Sequence, residues 1–225
     1  MKRTEFKAGG YRWVMLAVFM LLTAANPAAW ITFAPITGEA AAFWGTSDLA
    51  IGLLSLVFMA VYVVMFLPAA WAIDTWGFRP AVGIGAALTA AGCLGRGLFA
   101  ARLAPVFAAQ LAIAVGQPFV LGAITKLAAR WFPPGERATA SGLGTLSMYL
   151  GILAGIMATP PLVHRLGMPG MLLAWGILAA VAAAAFLALA RERPRTPVGA
   201  PAEEVRALMF DGLRSMLHRK DFILL

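Results

Sequence analysis

Six long stretches without charge constrain this chain more than any other feature. Residues 13–38, 49–73, 103–125, 138–163 and 166–190 contain no Asp, Glu, Lys or Arg, and residues 80–101 contain a single charge, Arg96. Each stretch is 22–26 residues long. A bilayer core is crossed by about 20 apolar residues in helical form. Lipid offers backbone amides no partner, so helices are expected, and the stretches lack the ten-residue alternation of a membrane barrel. The pattern predicts an all-α membrane protein with six transmembrane helices. Composition agrees: hydrophobic residues make up 61 % and charged residues 12 %, about half the charged share of a soluble domain. Disorder and a water-soluble globule are both excluded on that ground. A disulfide scaffold is excluded by the single cysteine, Cys93. The first stretch is too long for the apolar region of a cleaved signal peptide and holds Asn26, Pro27 and Trp30.

Lysine and arginine set the expected orientation. Lys2, Arg3, Lys7 and Arg12 precede the first stretch, Arg79 follows the second, and Lys126, Arg130 and Arg137 lie between the fourth and fifth. Seven more follow residue 190, whereas the other side holds only Arg102 and Arg165. The N-terminus is therefore expected in the cytoplasm, in a multi-pass protein of the cell (inner) membrane. The net charge of +8 reads as topology and attraction to anionic lipid, not as a nucleic-acid surface. The expected organisation is a six-helix bundle over residues 1–190 and a cytoplasmic loop over 191–221. Val205, Leu208, Met209, Leu213, Met216 and Leu217 give that loop an amphipathic helix. Residues 222–225 read as the start of a seventh helix whose remainder is missing.

Polar groups at bilayer mid-depth are costly, so Asn26 and Gln117 stand out. Each precedes a proline, Pro27 and Pro118, and proline frees a carbonyl one turn earlier. Either amide also fits a plain interhelical bond. Phe58 and Tyr62 lie four apart in the second stretch and fit a solute wall or ordinary packing. Arg96, near the outer end of the third helix, is expected to snorkel to water. Gly151 and Gly155 are expected to let helices approach closely. No acid lies inside any stretch. Aromatic faces can bind a quaternary ammonium without one. Motifs for hydrolases, phosphate loops and metal sites are absent from the sequence, so no enzyme, metal or cofactor is expected.

Two loops carry a resemblance. Asp74, Gly77 and Arg79 match the loop signature of the major facilitator superfamily, with departures at Ala70 (usually glycine) and Thr75 (usually basic). Trp131, Phe132, Glu136, Arg137, Ala140 and Gly142 resemble the second conserved loop. The chain is similar to that superfamily's N-terminal six-helix half. More finely, Tyr11, Trp13, Asn26, Trp30, Ser55, Pro68, Trp71, Gln110, Gln117 and Gly122 resemble the feline leukaemia virus subgroup C receptor family of haem, choline or ethanolamine transporters. The resemblance implies alternating-access transport of a small organic solute. It implies solute contacts at Asn26, Trp30 and Gln117, to which Phe58 and Tyr62 are added, and a conformational gate at Asp74, Gly77 and Arg79. The partners would be the lipid bilayer, the solute, and a missing C-terminal half or a second copy of the chain. A non-transporting scaffold or receptor-like half protein is the alternative.

Overall fold

The computed structural model describes residues 10–194. The amphipathic helix and the seventh-helix start expected beyond residue 194 lie outside the described residues. The described chain is helical throughout. In order it forms α1 (Tyr11–Ile31), α2 (Thr37–Trp44), α3 (Asp48–Thr75), α4 (Phe78–Leu98), α5 (Leu103–Leu121), α6 (Ile124–Trp131) and α7 (Arg137–Leu189). Five helical stretches are long and apolar enough to cross a membrane.

The connections follow from local chemistry. Ser47 caps α3, its side chain accepting from the Ala50 amide. Gly45 closes α2 in the left-handed region at φ 63°. Phe132 is extended because it precedes Pro133, and α6 ends there. Two elements differ from expectation. The first apolar stretch breaks at Ile31 and resumes as the short α2, Pro35 falling in the turn between them. The fifth and sixth stretches form two helical arms joined directly at Gly167, with no loop between them, and together make up α7, 53 residues long. A straight helix of that length would reach roughly 80 Å, far more than a bilayer.

Gly167 resolves this. It adopts φ 69° and ψ 172° inside α7, and the chain folds back there. Glu136, just before α7, pairs with Arg12 at 3.0 Å, and Leu189, at its other end, accepts from the Tyr11 hydroxyl at 2.6 Å. Both ends of α7 thus return to the start of α1. The first arm (137–166) runs parallel to α1, Thr23 meeting Ser147 at 2.6 Å. The second arm (168–189) runs antiparallel to α4, with Leu173 beside Gly97 and Leu187 beside Gly83.

Small residues set the packing distances. A Cβ on Gly85 would lie 2.7 Å from the Gly116 carbonyl, and one on Gly116 equally close to the Gly85 carbonyl, so α4 and α5 touch backbone to backbone. Gly151 and Gly155 meet Ala24 and Ala28 of α1, as expected. Outside this core, α3 turns Leu49, Leu53, Val63 and Val64 outward, and the first arm of α7 exposes Tyr149 and Met157. Gly116→Val should lower stability by about 1–3 kcal/mol through overpacking, read as a fall in the thermal midpoint of detergent-purified protein. Gly142→Ala, where a Cβ meets nothing within 4 Å, should not lower it.

Candidate functional site

Two groups of functional candidates separate along the bundle. One lies on the face where α1 begins. α6 presents Leu127, Ala128 and Trp131 to the core and turns Lys126 toward the end of α3 and Arg130 toward Glu192. Lys126 pairs with Asp74 at 2.8 Å and also donates to the Ile73 carbonyl, closing the end of α3. Arg130 pairs with Glu192. The Glu192 carboxylate also accepts from the amides of Phe78 at 3.0 Å and Arg79 at 2.6 Å, the first free donors of α4. An anion at a helix N-terminus is favoured by those donors and by the dipole. The Arg79 guanidinium returns to the Leu187 carbonyl at 3.2 Å.

Gly77 makes this arrangement possible. Its φ is 99°, and a Cβ there would lie 2.6 Å from the Glu192 carboxylate. Asp74, Gly77 and Arg79 are thus brought together with Lys126, Arg130 and Glu192 in one network joining α3, α4, α6 and the segment after α7. Glu192 was missed by sequence reasoning. Its signal was a lone acid between Arg191 and Arg193, directly after the last apolar stretch. Asp74 is more exposed than Glu192, 65 % against 34 % at the side chain, so solvent screens its pair more. Double-mutant cycles should give coupling within about 0.5–3 kcal/mol for Arg130 with Glu192 and a smaller value for Lys126 with Asp74, measured by thermal or denaturant unfolding.

The second group lies deeper. Trp30 is half-buried, and its indole N–H donates to the Ser55 carbonyl of α3 at 3.1 Å. It packs with Val57 and Val61 against a cluster containing Phe58, Ala25, Ala29 and Ile113. Phe58 is itself fully buried and serves as packing behind Trp30. Asn26 points elsewhere. Its Nδ2 donates to Thr89 Oγ1 at 2.9 Å and to the Ile113 carbonyl at 3.4 Å, knitting α1 to α4 and α5. The Thr89 hydroxyl donates its own hydrogen bond to the Gly85 carbonyl, which fixes the orientation of the Asn26 amide. Asn26 Oδ1 is buried without a hydrogen-bond partner among the described residues.

Gln117 is 7 % exposed, and no hydrogen bond involves its amide among the described residues. α3 and α5 run parallel, tied by Gln110 to the Leu54 carbonyl at one end and, through α6, by Lys126 to Asp74 at the other. That register puts Tyr62 within about one turn of the depth of Gln117. Tyr62 is partly exposed and stacks near Phe66, with ring centroids 6.1 Å apart.

Arg96 departs from expectation. It is fully buried and does not snorkel. Its Nη1 donates to the Ala29 carbonyl at 2.9 Å and to Gln110 Oε1 at 2.8 Å, and its guanidinium lies 5.6 Å from the Phe33 ring centroid. Acceptors from two neighbouring helices replace water, so the charge stays inside. Among the described residues no group of three or more His, Cys, Asp or Glu comes together to hold a metal.

Comparison with known proteins fits this architecture. The model of the Major Facilitator Superfamily matches residues 13–225. Solute carrier family 49 member A3 of Danio rerio is 35 % identical over 224 residues, covering 95 % of this chain and 47 % of that protein. The choline/ethanolamine transporter FLVCR2 of Homo sapiens is 33 % identical over 165 residues, covering 71 % of this chain and 31 % of that protein. A bacterial homolog of the human lysosomal transporter Spinster, solved inward-facing and unoccupied, superposes with a TM-score of 0.73 at 18 % identity. That match covers 92 % of this chain and 49 % of the solved one. The chain thus spans half or less of the length of these relatives. It is a multi-pass integral membrane protein, and it belongs to the major facilitator superfamily, a family of transporters rather than enzymes.

Proposed function

We propose that this chain supplies one half of a transporter for a small organic cation or amino alcohol, working by alternating access. The observation that carries this reading is the state of Trp30 and Gln117. The Trp30 N–H is committed to Ser55, so the indole offers a solute its π face rather than a donor. Gln117 makes no hydrogen bond among the described residues, and its amide atoms are not among the fully buried unpaired ones, so the amide is open to a solute. An aromatic face and an amide, with no acid in any apolar stretch, suit a quaternary ammonium or amino alcohol. The printed names of relatives, choline/ethanolamine transporters, point the same way. Tyr62 joins the wall from α3, Phe58 backs it, and Asn26 holds the helices that frame it.

In this reading the chain crosses the cell membrane six times, α7 crossing twice around Gly167, with its N-terminus in the cytoplasm. The Asp74, Gly77 and Arg79 network then lies on the cytoplasmic side and acts as a gate, Glu192 clamping it. The exposed faces of α3 and of the first arm of α7 meet lipid and the opposite half, whether a further segment or a second copy. Substrate sites of such transporters lie between two halves that rock against each other.

Two experiments test this. With the chain expressed from its complete gene, Trp30→Ala should raise the KM for choline by roughly 2–30-fold, the worth of a cation–π contact. Trp30→Phe should keep most of the affinity, and Gln117→Leu should reduce uptake without loss from the membrane. Equal uptake by all three variants would remove both residues from the site. For topology, single cysteines at Ala42 and Gly135 in a Cys93→Ala background should label from opposite sides, Ala42 from outside and Gly135 from the cytoplasm. Labelling of both from one side would refute six crossings.

A further inference from the structure

The one charge inside the apolar stretches has no carboxylate beside it among the described residues, and its bonds lead towards Trp30. Arg96 of α4 donates through Nη1 to the Ala29 carbonyl of α1 and to Gln110 Oε1 of α5. Gln110 then donates through Nε2 to the Leu54 carbonyl of α3 at 3.1 Å. The neighbouring residue of α1, Trp30, donates directly to the neighbouring carbonyl of α3, Ser55. Two consecutive residues of α1 are therefore tied to two consecutive carbonyls of α3. One tie is the indole itself, and the other is a relay through two fully buried side chains from α4 and α5.

We propose that Arg96 and Gln110 are positioning residues, a brace that sets the rotation and height of α1 against α3 and so holds the Trp30 ring face in its place. A single hydrogen bond would leave α1 free to turn about it, whereas two ties at adjacent positions fix both rotation and translation. The side-chain types suit the task. One guanidinium nitrogen carries two protons and serves two acceptors at once, which a lysine ammonium on a flexible stem does with less definite geometry. Gln110 is both acceptor and donor, so it can pass the link onward, which neither Glu nor Leu can do. The Phe33 ring and Cys93 Sγ, 3.7 Å from Nη2, lie beside the guanidinium, whose Nε has no hydrogen-bond partner among the described residues. Buried charges are poor sources of stability, since apolar residues of similar volume often replace them without loss. Placement of the helices, not stability, is what this one supplies.

The consequence for solute binding rests on the reading of Trp30 as a solute contact, but the brace can be tested without it. The protein is labelled with fluorotryptophan, and the Trp30 fluorine resonance is assigned by Trp30→Phe. Gln110→Glu keeps a partner for Arg96 but removes the donor to Leu54. Arg96→Met combined with Gln110→Leu removes the relay altogether. Both should shift or broaden the Trp30 resonance while the protein stays folded. Thr159→Val, which removes the acceptor of the Trp175 indole, should move the Trp175 resonance alone. In the transport assay the brace variants should raise the KM for choline roughly fivefold with kcat little changed, and Arg96→Lys should fall between them and the native protein. An unmoved Trp30 resonance in folded Gln110→Glu would overturn the brace, whatever the solute. A moved resonance in a protein that does not bind choline would leave the brace standing and refute the proposed solute class.

Discussion

Backbone-to-backbone contact between helices is the constraint on which this structure depends. Lipid supplies no hydrophobic force between helices, so packing distance and interhelical hydrogen bonds must hold the bundle together. Gly85 against Gly116, and Gly151 and Gly155 against Ala24 and Ala28, bring α4 to α5 and α7 to α1. Only at that distance can short side chains bridge the helices. Thr23 reaches Ser147, and Asn26 reaches Thr89 and the Ile113 carbonyl. Bulkier residues along these seams would separate the helices and leave the same polar groups unpaired in an apolar medium.

The bundle is fastened differently at its two levels. On the face where α1 begins, the ties are charged: Arg12 with Glu136, Lys126 with Asp74, and Arg130 with Glu192. These pairs are partly open to solvent, so each can part and reform at modest cost. That suits a region proposed to open and close. Deeper in, the ties are side chains bound to mid-helix carbonyls, Trp30 to Ser55 and Gln110 to Leu54. Gln110 is fully buried there, where a hydrogen bond left unmade is costly, so these contacts hold their helices together. α3 depends on both kinds, for much of its surface faces outward.

The fold was largely legible in the sequence because apolar stretches between charges report helices directly. The turn around Pro35 was not legible, because no charge marks it within its apolar stretch. The reversal near Gly167 was marked by Arg165, and what the sequence did not show is that no loop separates the two arms there. Asp74, Gly77 and Arg79 were legible as a loop cluster, but Glu192 was not, because its contacts arise only when the end of α7 meets the N-terminus of α4. The deeper site was half legible. Residue type and depth single out Asn26 and Gln117, and the resemblance adds Trp30, but the sequence does not show which way each side chain faces. The structure turns Asn26 to α4 and α5 and Trp30 to α3. The burial of Arg96 is hidden in the sequence for a related reason. Its distance from the helix end is compatible with snorkelling, and nothing in the linear sequence shows that Ala29 and Gln110 wait beside it.

The central claim is that a cationic solute sits against the face of Trp30 within reach of Gln117. A photoreactive quaternary ammonium probe tests this most directly, cross-linked to the protein in membranes and located by mass spectrometry. The account predicts saturable labelling, displaced by choline, on peptides of α1 around Trp30 and of α5 around Gln117. Saturable labelling confined to the exposed face of α3, or none that choline displaces, would contradict it.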